Sequence, residues 1–359
     1  MKRHKQPNRR QVLGAMGALP VLGVSRACGA DRRDGRSSEQ AALALVTKSD
    51  RQEHERLWGL DLDAPEAAAR REKMPTGRIG DLTLGRIISG SNLISMNMHS
   101  RDLKYVYDLA AAYNTEDRVL MTLKLCEEHG INSIVLKNHN FRKFRLSRYW
   151  DEWGGRMKWL ADVITTDINK FEALVEEHLE LGAASVYLWG GASDIWYYNK
   201  QQGHIVRAYE IMRKYKVPVG ICAHQLAPIM FCEKEGLKPD YYMKTLHHDR
   251  YWSAHPEENR RFLEMYEAES PDHAFYHDNM FCHRYQETID FMKDVKVPWI
   301  AFKVLAAGAI PAKEGLDFAF ASGADFVCLG MFDFQVRQDA ALAREVIAKA
   351  RSRIRPWMG

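Results

Sequence analysis

Lys303 is the one ionisable residue in "VPWIAFKVLAAGAI", residues 297–310, with four apolar neighbours on either side. A lysine there either snorkels to water from a strand end or points into a cavity, and flanks this apolar favour the cavity. A desolvated amine beside other cations holds its proton weakly and can act as nucleophile or base, whereas a charged one stabilises an enolate or alkoxide. Lys137 in "IVLKNHN" and Lys244 in "YYMKTLHH" occupy similar positions. Imidazoles gather in the same places. His139, His224 and one of His247 and His248 end strand-like runs, and "PDHAFYHDNMFCH" adds His277 and Asp278. Neutral imidazole and carboxylate from separate strands suit a divalent metal such as Mn, Zn or Fe with an open position for substrate. The expected metal ligands are therefore His224, His248, His277 and Asp278, and the expected catalytic groups are Lys303, Lys244, Lys137 and His139. No H-E-x-x-H or comparable spacing occurs, so the motif alone does not define a metal site.

These residues need a frame that collects strand ends. From "TGRIGDLTLGRIISGSN" onward, short apolar runs alternate with helical segments: "GRIISGSN", "INSIVLKNH", "KWLADVIT", "ASVYLWGG", "VPVGICAHQ", "PDYYMKTLHH", "PWIAFKVL" and "GADFVCLGM". Eight strands alternating with helices over about 280 residues predict a closed (β/α)8 TIM barrel, an α/β fold whose active sites lie at the strand C-termini. The helix "DINKFEALVEEHLELG" has Asp167 as N-cap and Gly182 at its C-terminal end, and 102–130 reads as one helix ending at Gly130. Nearly fifty residues before the seventh strand form an insertion with its own helices. "SGSNLIS" lacks the G-x-G-x-x-G turn of an open dinucleotide-binding sheet.

Alternation assigns inward positions. Small Gly220 and Cys222 put His224 in the barrel's inward phase; Lys137 shares a phase with His139, and Lys303 with Ala301. On the sixth strand the choice lies between Lys244 with His248 and Thr245 with His247, and the first pair is preferred. Asn92, Gln225, Trp189 and Asp333, at other strand exits, are the expected substrate-binding residues. Trp189 belongs to an aromatic-rich rim whose flat faces suit sugar rings.

Charge separates the chain into parts. Of 51 basic residues against 47 acidic ones, six (Lys2, Arg3, Lys5, Arg9, Arg10, Arg26) lie in the first thirty positions, where there is no acid. The remaining 45 face all 47 acids, a balance without the electrostatic footprint of a nucleic-acid partner. Residues 1–30 combine Arg9-Arg10 with a Gly- and Ala-rich apolar stretch too short to span a bilayer, the pattern of a twin-arginine signal peptide. The expectation is export through the twin-arginine machinery to the periplasm or beyond, with no transmembrane segment in the mature chain. Lipidation at Cys28 is the minor alternative, because Ser25-Arg26-Ala27 departs from the lipoprotein box. Residues 31–76 read as a linker with short helices and 77–359 as the barrel domain. Five scattered cysteines after the signal form neither a disulfide framework nor a zinc ribbon.

From Gly77 to Val346 the chain resembles exported bacterial TIM-barrel proteins often labelled aldo/keto reductase-like. The likeness rests on "SGSNLIS", "HSRDLKYVYDL", "KTLHHDRYWS", "PWIAFKVLAAGAI" and "GADFVCLGMFDFQV". It implies the barrel fold and little chemistry. The reductase label would require an Asp-Tyr pair after strand two and a lysine on strand four, where this chain has "KNHNF" and "SVYLWGG". That mismatch, with the scarcity of free NADP outside the cytoplasm, argues against a nicotinamide cofactor. The leading expectation is an exported lyase, epimerase or isomerase acting with a divalent metal on a small-molecule carbohydrate. The alternatives are a Schiff-base aldolase-type enzyme, an aldo/keto reductase-like oxidoreductase and a non-catalytic sugar-binding barrel.

Overall fold

The computed structural model describes residues 73–98, 103–137, 146–252, 254, 282, 284–350 and 352–359. All belong to one compact unit, Arg70–Gly359. The expected signal, most of the linker, the insertion helix near 256–268, and His139, His277 and Asp278 lie outside the described residues. No helix among the described residues is long and apolar enough to cross a membrane.

Chain entry is an antiparallel hairpin, β1 (Thr76–Ile79) and β2 (Leu82–Gly85). Eight parallel strands then close a barrel in sequence order: β3 (Ile87–Gly90), β4 (Ser133–Lys137), β5 (Lys158–Val163), β6 (Ser185–Leu188), β7 (Val219–Ala223), β8 (Tyr241–Thr245), β9 (Trp299–Phe302) and β10 (Phe326–Gly330), the last pairing back onto β3. This is the (β/α)8 barrel expected from the eight alternating runs.

Around the barrel lie α1 (Lys104–Tyr113), α2 (Glu116–Glu128), α3 (Leu146–Trp153), α4 (Ile168–Glu180), α5 (Gly190–Tyr198), α6 (Gln202–Met212), α7 (Ala227–Lys234), α8 (Tyr285–Met292), α9 (Ala312–Ala321) and α10 (Asp333–Lys349). The single helix expected over 102–130 is two. It breaks at Asn114-Thr115, where the Thr115 hydroxyl caps α2 by accepting from the Arg118 N–H. The Asp167 cap of α4 forms as expected. The short helix α5, directly after β6, was not anticipated, and it carries a residue central to the site.

Alternation along the strands creates two cores. One faces the helices and includes Ile134, Trp159, Val186, Ile221, Tyr242 and Ala301. The other fills the lumen with Ile88, Val135, Leu160, Tyr187, Cys222, Tyr241, Met243, Ile300 and Phe326. A barrel of this size is a packed core and not a pore. Gly220 shows how tightly it packs: a Cβ there would lie 2.4 Å from the Tyr241 ring. Ile79 and Leu84 of the hairpin join the lumen cluster.

Near the start of β10, buried Asp325 pairs with Arg355 at 2.8 Å and accepts backbone N–H bonds from Trp299 and Met358. Arg86 bonds the Asp325 and Gly359 carbonyls and stacks on Trp357, so the C-terminal residues are tied to the barrel.

Candidate active site

The ionisable residues of the lumen lie toward the C-terminal ends of the strands. Lys137 ends β4 in the inward phase of Val135, and its register partner on β5 is Asp162. Asp162 is 6% exposed, and its Oδ1 is buried with no hydrogen-bond partner. Burial pushes its pKa up to about 7, against the opposing pull of the Lys137 charge and the Tyr187 hydroxyl. A carboxyl held there is a proton donor or acceptor at neutral pH.

Across the mouth, β7 delivers His224 in the inward phase of Gly220 and Cys222. Its orientation comes from α5. Asp194 Oδ2 accepts from His224 Nδ1 at 2.8 Å and from the His224 backbone N–H at 3.1 Å, while Oδ1 accepts from the Gln225 N–H at 3.0 Å. With Nδ1 donating to a carboxylate, Nε2 carries the lone pair. Burial lowers the His224 pKa, Asp194 opposes that, and the charges of Lys303 and Lys244 reinforce it. The imidazole is therefore neutral and basic at Nε2. The close approach of α5 to β7 requires Gly190, whose Cβ would sit 2.9 Å from Cys222 Sγ and 3.2 Å from the His224 ring.

Strand β8 corrects one expectation. Tyr241 and Met243 face the lumen, and Tyr242 and Leu246 face the helices. Thr245 and His247 thus have the inward phase, and Lys244 and His248 the outward one. His248 packs on Phe318 of α9, with Nε2 3.0 Å from Glu314 Oε1, on the helix side of the wall from His224. Lys244, 1% exposed, turns its ammonium over the strand end to Thr245 O (3.0 Å) and Thr245 Oγ1 (2.7 Å). Thr245 Oγ1 in turn donates to the His224 carbonyl. Burial lowers the Lys244 pKa. His247, equally buried, donates from Nδ1 to the His248 carbonyl, which leaves its Nε2 as an acceptor without a hydrogen-bond partner. Burial, with the charges of Lys244 and Lys303 added, pushes its pKa down to about 4.

Lys303 reaches the site by a route that alternation does not describe. Ala301 faces the helices, so the shared phase fails. The strand stops at Phe302, and Lys303 adopts a left-handed backbone with φ 59°. Ala306 (φ 44°) and Ala307 (φ 54°) follow in the same region, which costs a non-glycine residue about 1–2 kcal/mol each. The Lys303 charge acts on both His224 and His247, and the Phe302 ring lies 5.4 Å from that of His224.

Other expected residues are placed differently. Half-buried Gln225 is at the mouth through its N–H bond to Asp194. Half-buried Asn92 follows β3 in a self-bonded turn, its carbonyl accepting from the Asn97 N–H. Trp189 packs against the core between sheet and helices. Asp333 is turned to the helix layer, where it accepts from Tyr113 OH at 2.5 Å and pairs with Arg118 at 3.3 Å. Among the described residues, no three His, Cys, Asp or Glu side chains are placed to hold a metal ion. Of the four expected ligands, His224 and His248 lie on opposite faces of the barrel wall, and His277 and Asp278 are not described. His224 and His248 therefore do not share one metal ion. The expected set did not include Asp162 or Asp194, and His247 was the alternative to His248; for Asp162 the signal is an acid at an inward position of the apolar strand "KWLADVIT".

Neither a protein-family model nor a curated protein matches the chain. Among solved structures, the barrel is similar to a Pseudomonas aeruginosa protein provisionally named an aldo-keto reductase, at 13% identity and a TM-score of 0.53, covering 77% of this chain and 98% of that one. A dihydrodipicolinate synthase (11% identity, TM-score 0.39, 67% and 74% covered) and a truncated 3-deoxy-D-arabino-heptulosonate 7-phosphate synthase from Thermotoga maritima (10%, 0.39, 77% and 92%) match less well. At these identities the likeness shows the TIM-barrel fold and nothing finer.

Proposed function

We propose that this chain is an exported enzyme that moves protons beside a carbonyl group of a small carbohydrate, as a lyase, epimerase or isomerase. The observation that carries this reading is that His224, oriented by Asp194, and Asp162, a buried carboxyl whose Oδ1 has no hydrogen-bond partner, both stand at inward positions of one lumen. In this reading His224 Nε2 removes a proton from the carbon next to the carbonyl. The Lys303 ammonium stabilises the enolate oxygen, and Asp162 returns or relays a proton. Asp194 positions the imidazole and fixes its tautomer. Export rests on the Arg9-Arg10 segment. No step passes through a metal.

The test is proton NMR of candidate aldoses, ketoses and sugar acids incubated with the protein in D2O. Wild type should exchange the hydrogen next to the carbonyl, and His224→Gln should slow exchange by roughly 10²–10⁴-fold, the usual contribution of a general base. No exchange in any of the three compound classes with folded protein would overturn the reading. A second reading, a Schiff-base enzyme, is favoured by the lowered pKa of Lys244. Borohydride trapping of a keto-sugar on Lys244 would replace the first reading with this one.

A further inference from the structure

The exits of β8 and β9 lie side by side. Thr245 is the register partner of Phe302, and the Leu246 N–H donates to the Phe302 carbonyl. The next inward residue on one strand is His247, and the next residue on the other is Lys303. Ala306 and Ile310 pack against Tyr251 above this corner, and the Tyr251 ring lies 5.9 Å from that of His247. The corner is thus partly closed to water, which strengthens any electrostatic contact made inside it.

The buried Lys244 ammonium bonds only neutral oxygens of Thr245, and no described carboxylate lies within ion-pair distance. Asp194 is near enough to be felt, but both of its oxygens are engaged by His224 and Gln225. Asp162 stands in register with Lys137 on another part of the wall. A buried cation without a partner carries a penalty of several kcal/mol that an incoming anion would offset. Beside it, His247 Nε2 is a buried acceptor without a hydrogen-bond partner, and an unmade hydrogen bond of this kind is costly until a donor arrives.

We propose that the substrate is a sugar acid whose carboxylate docks at the β8–β9 corner toward Lys244 and Lys303, with its neighbouring hydroxyl donating to His247 Nε2. This deepens the proton-transfer reading, on which it rests for the use of the same mouth. A carboxylate with a hydroxyl on the adjacent carbon supplies both missing groups, an anion and a donor, at the spacing of one bond. A neutral sugar supplies only the donor.

The test is calorimetric binding of D-gluconate, D-glucose and D-glucose 6-phosphate to the full chain, with no turnover required. Gluconate should bind at least about tenfold more tightly than glucose and weaken as salt rises. Lys303→Met and Lys244→Met should each bring the gluconate-over-glucose preference close to one, read as the ratio of the two affinities in the same variant. Lys303 is half-buried, so its variant reports even if the Lys244 variant folds poorly. His247→Phe should weaken gluconate with its fold retained. Equal binding of gluconate and glucose, indifference of gluconate to both lysine substitutions, or preference for the phosphate would each overturn the proposal. Selective gluconate binding without exchange in D2O would remove the proton-transfer reading and leave this subsite. Exchange confined to neutral sugars would do the reverse.

Discussion

Asp162→Asn isolates the cost of holding a carboxyl in the lumen. The folded pKa is about 7 and the ordinary value 3.8, so the folded state keeps a proton that the unfolded chain has released over the interval between them. Stability is therefore greatest below the unfolded value and declines as pH rises toward the folded one, by about 1.4 kcal/mol per pH unit. Over the whole interval the loss is roughly 4 kcal/mol, and between about pH 5 and about pH 8 it is roughly 3 kcal/mol. Asparagine has nearly the same shape and cannot ionise. It retains a buried polar atom without a partner, a fixed cost of about 1–3 kcal/mol that does not vary with pH and cancels when two pH values are compared. Urea denaturation of wild type and variant at about pH 5 and about pH 8 should show the variant gaining roughly 3 kcal/mol on wild type at the higher pH. A difference that stays constant with pH would refute the assignment of a near-neutral carboxyl to Asp162, and with it the acid of the proposed mechanism.

The rate should follow a narrow bell, measured as kcat/KM against pH. It rises as His224 loses its proton below the ordinary imidazole value and falls as Asp162 ionises near about 7. Lys303→Gly should stabilise the fold by about 1 kcal/mol in thermal melts, because glycine adopts φ 59° without strain, while turnover drops by 10²-fold or more, on the order expected for loss of a charge-stabilising donor. Gly190→Ala should cost about 1–3 kcal/mol and slow turnover by displacing the His224 ring, and adding Cys222→Ala should recover part of the stability by removing the sulfur it meets. Asp325→Ala should destabilise by about 3–5 kcal/mol in denaturant, since it leaves Arg355 buried without its partner.

What the sequence made legible follows physical contrast. The barrel strands are short apolar runs bounded by glycines and helix caps, and all eight are found. His224 was assigned inward correctly because Gly220 and Cys222 are small enough to mark the lumen. On β8 the contrast disappears: "YYMKT" is buried on both faces, so neither alternation is visibly the apolar one. The left-handed turn at Lys303 leaves no trace in an ordinary L-residue, so the strand is expected to run past its end and the phase shared with Ala301 does not hold. Helix α5 begins Gly190-Gly191, which reads as a turn, and without that helix nothing in the sequence ties Asp194 to His224. Asp333, placed at the rim by position alone, belongs instead to the contact of α10 with α1 and α2.

The hairpin that fills the bottom of the lumen with Ile79 and Leu84 has a kinetic consequence. Nothing can pass through the barrel, so whatever enters and whatever leaves must use the same opening. If one substrate is split into two fragments, the piece nearer the opening departs first and the deeper piece waits behind it. Added in excess, the first fragment released will then obstruct the exit of the second, and inhibition by the two products will be unequal. In the proposed reaction that order would follow from the packed lumen, whose far end β1 and β2 seal.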